Sequence, residues 1–145
     1  MRFFTIASIS LSVLASSTAY AQATATIKVV NLSKEAILLQ PISKNDRATL
    51  LNAYPQPLKR IESGQTSTFL VSAFQPIASF ASVHYGTRGK SCSFLTSYFD
   101  TRQWPGAYVP RWNHSAKSSG GARCSSRLVS TDTQTRDWTA EFIFR

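Results

Sequence analysis

The sequence predicts an all-β fold: a single antiparallel β-sandwich, or flattened barrel, of about seven to eight short strands over residues 22–145, preceded by a cleavable signal peptide over residues 1–21. Three observations predict it. Short runs of alternating apolar and polar residues recur along the chain, turn-forming residues punctuate them, and the mature chain carries no convincing amphipathic helix pattern.

The leader has three zones. Met1-Arg2 supplies a positive start, Phe3 to Ala15 is apolar apart from Thr and Ser, and Ala19-Tyr20-Ala21 places small residues at both peptidase subsites. The apolar stretch dissolves into Ser16-Ser17-Thr18 before reaching the roughly 20 residues that span a bilayer, and no later stretch in the mature chain is long enough. The expected location is periplasmic or secreted. In that setting Cys92 and Cys124 are expected to form one disulfide, since neither belongs to a C-x-x-C pair and an exported free thiol is exposed to oxidation.

Strand periodicity begins at Thr26 to Leu32, with Ile27 and Val29 on one face and Val30 and Leu32 on the other, both expected to be buried. Glu35 to Leu39 repeats the pattern after a polar break, which predicts an opening hairpin. Ser43 to Pro57 is broken by Asn45, Asp46, Asn52, Pro55 and Pro57 and reads as a long loop with at most a helical turn over Ala48 to Tyr54.

Alternation returns at Thr66 to Phe74, where Phe69, Val71 and Ala73 share a face, and at Ser79 to Tyr85, where Ala81, Val83 and Tyr85 do. Gly86 to Lys90 predicts a tight turn into Ser91 to Phe99, whose Cys92, Phe94, Thr96 and Tyr98 share one face. Ser126 to Thr131 and Asp137 to Phe144 complete the set; in the last, Trp138, Ala140, Phe142 and Phe144 alternate with polar or smaller neighbours.

Between Phe99 and Cys124 no strand alternation is visible. This segment interleaves Trp104, Tyr108 and Trp112 with Arg102, Arg111 and His114, and it reads as a long loop pinned by the disulfide. These six residues are the expected binding site, because Trp and Tyr combine an apolar face with a polar tip and Arg contacts phosphate or carboxylate. The alternative is that Trp104 and Trp112 fold back to cap one end of the sandwich. Ser118-Ser119-Gly120-Gly121 then reads as a flexible piece before the bridge.

The chain holds 16 Lys plus Arg against 7 Asp plus Glu, a balance of +9 that becomes +8 when Arg2 leaves with the signal. Outside the cytosol the polyanions within reach are anionic lipid, cell-envelope polymer and acidic proteins, so no nucleic acid partner is expected. Catalysis has little support: no G-x-S-x-G turn surrounds a serine, and His84 and His114 are expected in a strand and in the loop. Their separation gives no metal-ligand spacing, the Asp132 to Asp137 segment lacks the glycine and oxygen ligands of a calcium loop, and no cofactor is expected.

Val29-Val30-Asn31-Leu32-Ser33 followed by Ile37 to Leu39, then Ile61-Glu62-Ser63-Gly64 leading to Phe69, then Val83-His84-Tyr85 before Ser91-Cys92-Ser93-Phe94, resembles the aegerolysin-like and actinoporin-like secreted β-sandwiches. The resemblance implies a lipid-binding or membrane-active sandwich. Its basic balance departs from the generally acidic aegerolysins and points toward anionic membranes rather than sphingolipid-type recognition. The expected function is thus an exported, non-enzymatic binding module for an anionic membrane or envelope component. The alternatives are a protein-binding inhibitor or structural domain, and a small envelope hydrolase.

Overall fold

The computed structural model describes residues 22–145, so the expected signal peptide lies outside the described residues. Two five-stranded sheets pack face to face. One has the order β3 (Ala53–Tyr54), β5 (Thr66–Ser72), β1 (Thr24–Asn31), β10 (Trp138–Phe144), β9 (Cys124–Thr131). The other has the order β4 (Arg60–Ile61), β2 (Ile37–Leu39), β6 (Ala78–Thr87), β7 (Lys90–Gln103), β8 (Ala107–Ser119).

The sandwich stands as expected, with three corrections. The described residues form ten strands rather than seven or eight. The architecture is not wholly antiparallel, because the first and last strands, β1 and β10, pair in parallel from Ala25 opposite Trp138 to Asn31 opposite Phe144. The segments expected to form an opening hairpin lie in different sheets. Asn31 makes that corner. Its buried amide donates to the carbonyls of Glu35 and Ile61 at 2.8 and 2.9 Å and accepts from the Ser33 N–H and hydroxyl at 3.0 and 2.7 Å, so the chain turns across the core without an unpaired polar group.

Alternation selects the inner faces. Ile27 and Val29, Phe69 and Val71, Ala81, Val83 and Tyr85 are buried, as are Phe94 and Tyr98 of β7 and the even-numbered residues of β10. Only one face of β1 is fully covered; Leu32 is exposed, contrary to expectation, because no third layer covers that sheet. Between the sheets, Phe94 stacks on Phe142 at 4.8 Å and Tyr98 lies 5.9 Å from Trp138; within its own sheet Tyr98 lies 6.1 Å from Trp112. The Trp138 indole N–H donates to Thr96 Oγ1 at 2.9 Å, so its polar edge is satisfied inside the core. The disulfide joins Cys92 of β7 to Cys124 of β9 with Cα atoms 5.7 Å apart, tying one sheet to the other.

The expected loop over Ser43 to Pro57 instead contains α1 (Lys44–Leu51) and β3. Ser43 and Asp46 form a reciprocal capping box, and the buried Asp46 carboxylate also accepts from the Ser82 hydroxyl at 2.6 Å. Thr49 Oγ1 accepts from the Ser82 backbone N–H at 2.8 Å. Since β6 pairs with β2 only near Tyr85 and Gly86, α1 covers the part of the β6 edge that lacks a strand neighbour.

Strand directions define two ends. The β7–β8 tip, the segment 73–77 and the β9–β10 turn meet at one end; the turns at residues 88–89 and 120–121 and the disulfide meet at the other.

Candidate functional site

The segment expected to be a loop is a β-hairpin. β7 and β8 stay in register from Ser91 opposite Ser119 to Gln103 opposite Ala107. β6 stops pairing at Phe99, so Thr101 to Gln103 and their β8 partners project beyond the sheet as a two-stranded ribbon of about 10 Å. Trp104, Pro105 and Gly106 close it, with the Gly106 N–H donating to the Gln103 carbonyl at 2.7 Å. Ser118 and Ser119 belong to β8 and are not a flexible linker. Gly120, at φ 63°, sits so close to the next turn that a Cβ there would lie 1.8 Å from the Gly89 carbonyl oxygen.

Pairing sorts the six expected site residues. Residues directly opposite across an antiparallel pair project to the same face, so Tyr108, Trp112 and His114 lie on the face of Tyr98, as does Arg102, which pairs with Tyr108. Arg111 pairs with Phe99 and lies on the other face. They therefore do not form one exposed patch. Trp104 at the tip is 96% exposed and Tyr108 is 55% exposed. Trp112 packs on the core against Tyr98, and its indole N–H donates to the Arg136 carbonyl at 3.4 Å. His114 bonds through Nδ1 to Ser126 Oγ at 2.9 Å, closing the seam between β8 and β9.

Three residues that sequence reasoning did not single out for the site complete the hairpin end. A cleft of about 650 Å³ opens between the ribbon, the segment at Pro76 and Ile77, and the β9–β10 turn. Its polar lining includes Tyr98, Asp100 and Arg136 together with Gln134 and Thr135, and Tyr108 forms part of its wall. Asp100 Oδ1 lies 3.4 Å from Arg136 Nε. Arg136 adopts a left-handed φ of 69°, uncommon for a residue with a side chain, at the end of a turn built on Asp132. The Asp132 carboxylate accepts from the backbone N–H groups of Gln134 and Thr135 at 2.7 and 3.1 Å, which holds its pKa below the usual carboxylate value. Burial, reinforced by the neighbouring Asp100, pushes the Tyr98 phenol up to about 12. Asp100 and Arg136 carry no sequence signal because their proximity depends on bringing the ends of two sheets together.

Among the described residues no three His, Cys, Asp or Glu side chains gather as a metal site, and no described helix is long and apolar enough to cross a membrane. His84 sits on β6 opposite Ser93, away from His114. Every carboxylate of the chain is engaged: Glu35, Glu62, Asp100 and Glu141 in ion pairs, Asp46, Asp132 and Asp137 with N–H or O–H donors. Arg102, next to the hairpin turn, and Arg111, opposite Phe99 at the base of the ribbon, have no ion-pair partner among the described residues. The chain matches no family model and no curated protein sequence.

Proposed function

We propose that the chain is an exported, non-enzymatic binding module whose hairpin end engages an anionic membrane or cell-envelope surface. The observation that carries this reading is Trp104, 96% exposed at the tip of a ribbon that stands clear of the sandwich. A large aromatic side chain held away from the core by two paired strands gains by entering an interfacial layer, where its apolar body is buried and its N–H stays hydrated. Arg102 on the ribbon and Arg111 at its base, on the other face, add positive charge that faces the headgroups around an inserted tip. Phe74 and Ile77, exposed at the same end, extend the apolar area.

Burying about half of a Trp surface of roughly 200 Å² at about 25 cal/mol per Å² is worth about 2.5 kcal/mol. Trp104→Ala is therefore expected to weaken retention on phosphatidylglycerol-containing vesicles roughly 10- to 100-fold in co-sedimentation, without changing the melting temperature. Each of Arg102→Gln and Arg111→Gln is expected to cost about 1 kcal/mol, or about fivefold, and to reduce the salt dependence. Equal retention of wild type and Trp104→Ala on these vesicles would contradict the reading.

A further inference from the structure

The Tyr98 hydroxyl is buried without a hydrogen bond of normal geometry, Asp100 Oδ1 is buried with only the 3.4 Å contact to Arg136 Nε, and both residues line the cleft at the hairpin end. Tyr98 is 1% exposed overall, so its ring is fixed in the core where the residue borders the cleft. Incompletely paired buried polar groups are rare in native folds, and two of them on one cleft define the chemistry of what completes them.

We propose that this cleft binds a sugar ring of an envelope glycan, with Asp100 accepting from ring hydroxyls, Tyr98 and Arg136 donating to them, and Tyr108 packing on the apolar face of the ring. Asp100 is an acceptor only, Arg136 a donor only, and a phenol either. A vicinal diol supplies donors and acceptors together. A simple anion meets the Asp100 carboxylate, a simple cation meets the Arg136 guanidinium, and an apolar group leaves both unpaired. Pro76, Ile77 and Tyr108 provide apolar and aromatic wall, and about 650 Å³ falls within the range of small-molecule sites. The left-handed Arg136 and the Asp132 turn fix the donor side before any ligand arrives. This inference deepens the proposed function by naming a ligand class for the same end of the molecule, yet it uses different residues from the Trp104 tip.

The test uses the mature, disulfide-bonded chain and methyl glycosides of glucose, galactose, mannose and N-acetylglucosamine, titrated to about 50 mM while backbone amide shifts are followed. At least one glycoside is expected to shift the amides of Tyr108, Gln134, Thr135 and Arg136 saturably. Asp100→Asn is expected to weaken that binding at least tenfold and Tyr98→Phe about fivefold, while Trp104→Ala leaves it unchanged. Tyr98→Phe also serves as the folding control: removing an unpaired buried hydroxyl is expected to leave the melting temperature unchanged or raised. Vesicles with and without a glycolipid bearing the same sugar then identify the source. Retention that falls in Asp100→Asn only when the glycolipid is present assigns a lipid headgroup; titration with the free glycoside alone assigns a soluble glycan. No saturable shift at these amides with any glycoside, or shifts that persist unaltered in Asp100→Asn, overturns the proposal. Loss of vesicle binding in Trp104→Ala without any glycoside effect leaves the membrane reading standing and removes this one. Glycoside binding without vesicle binding does the reverse.

Discussion

Trp104 and Trp112 lie on one hairpin and have opposite surroundings. Trp112 falls in register with Tyr98, on the inner face, whereas Trp104 falls in the turn and has no paired position at all. Their local sequences do not separate them, because each is followed within a few residues by polar or small side chains and the inner face is set by a strand partner upstream. Tyr98 is legible as a core residue from its alternation with Cys92, Phe94 and Thr96; that it also borders a cleft depends on the Arg136 turn more than thirty residues away. Its raised pKa has a direct consequence. Folding favours the protonated phenol, so its contribution is complete below about pH 10 and is lost as pH rises toward about 12. Burial raises the Tyr85 phenol as well. Thermal melts between pH 8 and 12 are expected to show falling stability above about pH 10, with a shallower fall in Tyr98→Phe. At the edge of β6, Asp46→Ala leaves the Ser43 N–H and the Ser82 hydroxyl without their acceptor; a loss of about 2–3 kcal/mol by denaturant unfolding is expected.

The hairpin is the element where the sequence was least informative, and its physical setting explains why. A buried strand shows alternation because water selects one face; β8 is an edge strand with half-buried or exposed residues on both faces, so the selection is weak. β7 was legible up to Phe99 for the same reason in reverse, since its inner face is in the core to that point. β1 and β2 were each legible, but their assignment to different sheets rests on the side chain of Asn31, which alternation does not reveal. The ribbon beyond Phe99 pairs only within itself, so replacing Thr101–Val109 by a two-residue Asn-Gly turn is expected to change stability by less than about 1 kcal/mol. The opposite turn is less tolerant. Gly120→Ala drives a Cβ into the Gly89 carbonyl in a left-handed backbone, and a loss of about 3 kcal/mol or more is expected by denaturant unfolding.

At the scale of the whole molecule the two ends differ in chemistry. Lys34, Lys90, Arg123 and Arg145 line a cleft at the disulfide end, while the exposed aromatic Trp104 and Tyr108 stand at the other. The sheets are tied by Cys92–Cys124, which closes a loop with a sequence separation of 32. Reduction is expected to remove roughly 3–4 kcal/mol and lower the melting temperature by about 10–20 °C, measured with and without a thiol reductant. The sandwich and the disulfide followed from alternation and from two cysteines in a chain expected to be exported; the parallel β1–β10 closure did not, because pairing between the first and last strands leaves no local mark. The central claim is that the exposed Trp104 carries the molecule onto an anionic surface. Trp112 and Trp138 are packed, so a change in tryptophan emission on mixing with vesicles reports chiefly on Trp104. Titration of the mature chain with phosphatidylglycerol-containing vesicles is expected to shift the emission to shorter wavelength and protect it from a soluble quencher. Phosphatidylcholine vesicles are expected to give a much weaker effect, and Trp104→Ala none. Emission and quenching that stay unchanged at low salt with anionic vesicles would contradict the account.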